Sequence, residues 1–108
     1  MAFKSQAATR VWVAFERDHI LTPHLKKLLH GLGGLFFQKS DEHTSPEGVT
    51  SELYIFQFGS QQHAEKFIYN IRKRMEQHLV LDPDYSLTME YEPITIRVPV
   101  IIRGSTPA

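Results

Sequence analysis

The 108-residue chain balances 12 basic against 12 acidic side chains, so no whole-molecule field draws it to nucleic acid or to an anionic membrane. That length holds one hydrophobic core and excludes two ordinary domains, so residues 1–108 are read as a single domain. Cysteine is absent, which excludes disulfides, thiolate metal sites and a cysteine nucleophile. No apolar run reaches the roughly 18 residues of a membrane span, and Met1 to Arg10 holds no signal-peptide core; a cytoplasmic protein without membrane contact is expected.

Thr9 to Phe15 reads as a first strand, with Val11, Val13 and Phe15 on one face and Trp12 and Ala14 on the other. Both faces are apolar. Thr22-Pro23 predicts a helix start, Thr as N-cap and Pro at the first helical position. Leu25, Leu28, Leu29 and Leu32 follow at helical spacing, and Gly31, Gly33 and Gly34 end the helix. The placement of these glycines after a helix is why they are read as a terminator and not as a phosphate loop.

Leu35 to Lys39 reads as a short second strand, and polar Ser40 to Thr50 as a mobile loop. Glu52 to Phe58 is the stretch around which the rest is organised. Tyr54, Phe56 and Phe58 alternate with Leu53, Ile55 and Gln57, so a cover is expected over both sides of this strand. Ser60 is placed to cap a second helix from Gln61 to about Leu79, whose apolar stripe is Ala64, Phe67, Ile68, Ile71, Met75 and Leu79. Asp82-Pro83-Asp84 stops it. Tyr85 to Glu92 is then a fourth strand, with Tyr85, Leu87, Met89 and Tyr91 opposed to Ser86, Thr88, Glu90 and Glu92.

Strand, helix, strand, strand, helix, strand predicts a ferredoxin-like α+β sandwich: a four-stranded antiparallel sheet, first and third strands central, both helices on one face. The core is expected over residues 9–92, followed by an extra C-terminal strand or arm over 93–103. In that arm Ile94, Ile96, Val98, Val100 and Ile102 alternate on even numbers, whereas the fourth strand is apolar on odd ones. The switch at Glu92-Pro93 predicts a bulge, bend or turn. Pro99 predicts an edge strand or a detached arm.

Over residues 9–92 the chain resembles an RNA-recognition-motif domain. Val11-Trp12-Val13-Ala14-Phe15 is similar to that family's first-strand motif, with Trp12 at the stacking position. Ser51 to Phe58 lines up with its third-strand octamer, and Ser60 to Ile71 resembles the helix that follows. Ser51 stands at the family's basic opening position, Glu52 at its glycine, and Leu53 and Ile55 at its two stacking aromatics. The resemblance implies the fold and, through Trp12, contact with single-stranded nucleic acid.

The face opposite the helices carries the functional expectation. Trp12, Ala14, Leu53 and Ile55 should cluster there with Arg10, and Ile96, Val98 and Val100 of the arm complete the candidate interface. An apolar surface of this extent marks an interaction site. Three readings follow. The first is a non-catalytic regulatory module that forms a homodimer or small homo-oligomer, with a second copy or the tail covering this face and a protein partner to regulate. The second is a single-strand RNA or DNA binder, with Trp12 stacked on a base and Arg10 on phosphate, against which Glu90 and Glu92 would repel the backbone. The third is a cofactor-free enzyme resembling the small dimeric α+β-barrel monooxygenases, with a pocket between sheet and helices. No catalytic residue, metal or cofactor is assigned. The six histidines are dispersed, and Arg72, Lys73 and Arg74 point in different directions around a helix as solvated rims.

Overall fold

A computed structural model of the chain describes residues 2–100. Its elements are β1 (Phe3–Glu16), α1 (Thr22–Gly33), a 3₁₀ turn (Gly34–Phe36), β2 (Phe37–Thr44), β3 (Thr50–Phe58), α2 (Gln61–Leu81) and β4 (Leu87–Pro99). The four strands form one antiparallel sheet in the order β2-β3-β1-β4. The first and third strands are therefore central, and the ferredoxin-like α+β arrangement expected from the sequence is the one observed.

The core is a one-sided sandwich. Val11, Val13 and Phe15 of β1, Phe56 and Phe58 of β3 and Met89 of β4 meet Leu25 and Leu29 of α1 and Ala64, Phe67, Ile68, Ile71 and Met75 of α2. Each fully buried side chain of the larger kinds stabilises the fold by about 1.5–3 kcal/mol. The helical stripes read from the sequence are the faces that pack. Ser60 caps α2 as expected, its hydroxyl oxygen accepting the His63 backbone N–H at 3.2 Å. Gly33 closes α1 where that helix presses on α2: a β-carbon there would lie 2.5 Å from the Phe67 ring, and 3.1 Å from Phe56.

Several local expectations are corrected. Thr22 is the first residue of α1 and makes no cap. Its buried hydroxyl turns inward, 2.6 Å from the Glu16 carbonyl and 2.9 Å from the Tyr85 hydroxyl. The second strand lies further along than Leu35 to Lys39: Leu35 sits in the 3₁₀ turn, 96% exposed, and β2 runs through Thr44. The expected long loop shrinks to a turn in which the Ser45 carbonyl accepts the Gly48 N–H and the Ser45 N–H donates to the Val49 carbonyl, with Gly48 at φ +86°. Its polar sequence hid this strand because β2 is an exposed edge, with no face buried.

The largest correction concerns the C-terminal arm. No bulge, bend or turn interrupts it at Pro93. The β1–β4 ladder keeps one register from Phe15↔Leu87 through Thr9↔Pro93 to Phe3↔Pro99, and the Val100 N–H still reaches the Ala2 carbonyl at 3.0 Å. β1 accordingly starts at Phe3 and not at Thr9, because its N-terminal residues pair with the arm. β4 is an edge strand, as Pro93 and Pro99 require. Ile102 and Arg103 of the expected arm lie outside the described residues.

Beyond Thr9 and Pro93 only β1 and β4 continue, so they leave the sheet as a two-stranded ribbon. The ribbon makes the molecule long, 64 × 31 × 21 Å with a radius of gyration of 17.8 Å, against about 13 Å for a compact domain of 100 residues.

Candidate interaction face

Antiparallel partners project to the same side of a sheet, so the register determines which side chains share the face away from the helices. One row across it reads Lys39, Ile55, Trp12, Glu90; the next reads Asp41, Leu53, Ala14, Thr88; on the other side lie Gln57, Arg10 and Glu92. The register thus sets Arg10, Trp12, Ala14, Leu53 and Ile55 side by side. All five are half-buried, and none belongs to the core cluster.

Ile96, Val98 and Val100 are half-buried as well. Because the register never shifts, Ile94, Ile96 and Val98 keep the parity of Glu90 and Glu92 and prolong the outer face, opposite Ala8, Gln6 and Lys4. As far as Val100 the tail runs away along β1 and does not fold over Trp12. What changes at Pro93 is the cover and not the chain. On the odd-numbered side Tyr91 still reaches a helix, its hydroxyl donating to Glu65 in the first turns of α2 at 2.8 Å. Past that point the odd side carries Pro93, Thr95 and Arg97, with Arg97 stacked 5.1 Å over the Phe3 ring. The apolar residues move to the side that no helix among the described residues covers.

The register shift between Phe37 and Lys39 opens a hollow of about 270 Å³ on this face, lined by Arg10, Gln38, Lys39, Ile55 and Gln57. Arg10 sits across the ladder from Glu92, yet among the described residues the ion pairs are Arg17 with Asp18 and Glu42, and Lys26 with Glu52. Arg10, Lys39, Glu90 and Glu92 thus form no ion pair among those residues. The sequence held this signal in the parity of the four, but Lys39 became visible only with the true position of β2.

Elsewhere the chemistry is sparse. The space between sheet and helices, where a barrel-type pocket would lie, is filled by the core side chains. A larger open groove of about 610 Å³ runs between α2 and β4, floored by Leu79, Leu87 and Met89 and rimmed by Tyr69, Arg72 and Lys73. Arg72, Lys73 and Arg74 are all exposed. His24 and His78 approach to 4.6 Å between ring centres across the two helices, but no group of three metal-type ligands forms among the described residues. Lys26 on α1 reaches both carboxylate oxygens of Glu52, at 2.9 and 3.1 Å, and this contact raises the lysine pKa. Among the described residues no helix is long and apolar enough to cross a membrane.

No family model matches the sequence, and no curated protein matches it. The fold, in contrast, is shared with solved structures. The apo form of CPII from Thiomonas intermedia K12, described as a nitrogen regulatory PII-like protein, superposes with a TM-score of 0.58 at 12% identity, over 91% of this chain and 100% of that one. CPII bound to ADP, AMP and bicarbonate gives 0.59 at 12% identity, over 86% and 93% of the two chains. A putative PII-like signalling protein from Thermus thermophilus gives 0.53 at 17% identity, over 86% and 91%.

Proposed function

We propose that the chain is a cytoplasmic, non-catalytic regulatory module that assembles with copies of itself through the outer sheet face and the β1–β4 ribbon. One observation carries the reading. Two apolar patches share the outer face, Leu53, Ile55, Ala14 and Trp12 on one side of the polar row Gln57, Arg10, Glu92 and Ile94, Ile96 and Val98 on the other, and neither helix nor the tail up to Val100 covers them. A two-stranded ribbon is marginal in water by itself, and one with an apolar side gains stability only when another surface covers that side.

Support for a regulatory role comes from the fold neighbours, described as nitrogen regulatory and signalling proteins. One neighbour is described with ADP, AMP and bicarbonate bound, which suggests a small anionic ligand as the signal to be sensed here too. Size-exclusion chromatography with light scattering tests the assembly. A discrete oligomer is expected for the full chain and a smaller species for Ile96→Asp; a monomer at all concentrations refutes the reading.

The second reading, single-stranded nucleic acid on the same face, is favoured by Trp12 sharing that face with Arg10, two residues along β1, and with Lys39, beyond Ile55 in the same row, and by the resemblance to RNA-recognition motifs, which implies base contact through Trp12. Glu90 and Glu92, directly opposite Trp12 and Arg10, work against it. Quenching of the Trp12 emission by mixed oligonucleotides at low salt would favour this account over the first.

A further inference from the structure

The outer face is charged asymmetrically, and its asymmetry fits a copy of itself. Lys39 and Arg10 border the hollow on the β2–β3–β1 side, and Glu90 and Glu92 line β4 on the other. None of the four has an ion-pair partner among the described residues. Arg10 could meet Glu92 across the ladder but lines the hollow with Lys39 instead, so two cations gather where no described carboxylate pairs with them.

We infer that the copies are related by a symmetry axis parallel to the strands, so that Lys39 of each copy meets Glu90 of the next. This rests on the reading that the face is an interface between copies. The argument is one of register. The central row is Lys39, Ile55, Trp12, Glu90. Rotation about an axis along the strands reverses the order of the row and lays it on the original: Lys39 on Glu90, Ile55 on Trp12, Trp12 on Ile55, Glu90 on Lys39. The adjoining row, Asp41, Leu53, Ala14, Thr88, then sets Leu53 on Ala14, large against small, and Asp41 against a hydroxyl able to donate to it. The following row brings Arg10 over Gln57 and carries Glu92 to the side of the hollow where Gln38 lies.

A rotation across the strands instead stacks β4 on β4, and with its axis on the Trp12 row it sets Glu90 on Glu90 and Lys39 on Lys39. Like charges brought together at an interface select against that arrangement. Aligned sheets pack about 10 Å apart, a separation that extended lysine and glutamate side chains bridge from opposite layers. The same edge-to-edge logic holds for a closed pair and for a larger ring, since either sets the β2 side of one copy against the β4 side of its neighbour.

The test is a charge-reversal cycle on the full chain, read by light scattering and native mass spectrometry at low salt. Lys39→Glu and Glu90→Lys are both exposed substitutions, and far-UV circular dichroism checks that each folds; Lys39→Gln and Glu90→Gln are the milder pair if either does not. Each reversal is expected to weaken assembly about tenfold or more, and the double variant, or a mixture of the two single variants, to recover it. High salt should shrink the difference. Wild-type assembly by both single variants, or a double variant no better than either, overturns the inference and leaves the assembly reading intact. A monomeric wild type overturns both.

Discussion

The Tyr85 hydroxyl lies 2.9 Å from Thr22 Oγ1, a buried link between the start of α1 and the lead into β4. Thr22 spends its own proton on the Glu16 carbonyl at 2.6 Å, so Tyr85 must be the donor to Thr22. The end of β1 and the first turn of α1, six residues apart, are thereby joined to the distant approach to β4 at one end of the sandwich. Thr22→Val strands both the tyrosine hydroxyl and the Glu16 carbonyl and should cost about 1–3 kcal/mol, whereas Tyr85→Phe removes a donor and leaves Thr22 bonded, at about 0.5–1.5 kcal/mol. Urea unfolding of the two variants should rank them in that order.

Two groups with raised pKa make stability fall at alkaline pH. Burial pushes the Tyr85 phenol above its ordinary value of 10.0, and Glu52 does the same for the Lys26 ammonium. A group whose pKa is raised on folding contributes stability that is complete below its unfolded pKa and is lost as pH climbs through the folded one. Unfolding midpoints should therefore hold between neutral pH and about pH 9.5 and fall above pH 10. Tyr85→Phe should flatten that fall while lowering the neutral midpoint.

At the end of α1 two adjacent glycines make opposite predictions. Gly33→Ala drives a methyl group into the Phe67 ring, 2.5 Å away, with Phe56 behind at 3.1 Å, and overpacking of this kind costs about 1–3 kcal/mol. Gly34 has open space around it and a φ of −57° that any residue adopts. Gly34→Ala should be neutral or should stabilise by about 0.4–1 kcal/mol. Thermal melts of the pair separate the tight glycine from the permissive one.

Much of this architecture could be read from the chain because burial on one side leaves a period. Val11, Val13 and Phe15, the leucines of α1 and the stripe of α2 each repeat at the spacing of their element, and each is buried or half-buried as that spacing implies. β2 failed the same test for a physical reason: an exposed edge strand has no buried side to impose alternation. The arm departs from expectation for the converse reason. Its alternation is real, but the change of apolar parity marks no change in the backbone; it follows the end of the contact with α2 near Glu65 and Tyr91. The cluster around Trp12 was legible from β1 and β3 alone; its basic companion Lys39 was not, since that required the register of β2.

The ribbon gives a prediction that separates assembly from folding. Ile96 and Val98 lie outside the core cluster, on a strand held by an unbroken ladder. Replacing both by serine should leave the far-UV circular dichroism and the unfolding midpoint of the dilute protein close to wild type. The concentration dependence of that midpoint, which binding of copies to one another imposes, should disappear. A fall in the midpoint that persists at every concentration would place these residues in the fold and not in an interface.

Trp12 is the one tryptophan of the chain, half-buried in the middle of the outer face and absent from the core, so its emission reports on that face alone. If copies cover it, dilution through the dissociation range should shift the emission to the red as water reaches the indole, with the far-UV spectrum unchanged. Trp12→Ser should then hold the chain as a monomer at concentrations where the wild type assembles, since a large aromatic at the centre of an interface contributes about 2 kcal/mol or more to its affinity. If single-stranded nucleic acid is the ligand instead, emission should be independent of protein concentration and quenched by oligonucleotide, with affinity falling steeply as salt is raised. Glu90 beside Trp12 and Glu92 beside Arg10 favour the first outcome, because a phosphate backbone laid along β1 would meet two carboxylates at the place where Lys39 of a neighbouring copy would be held by them.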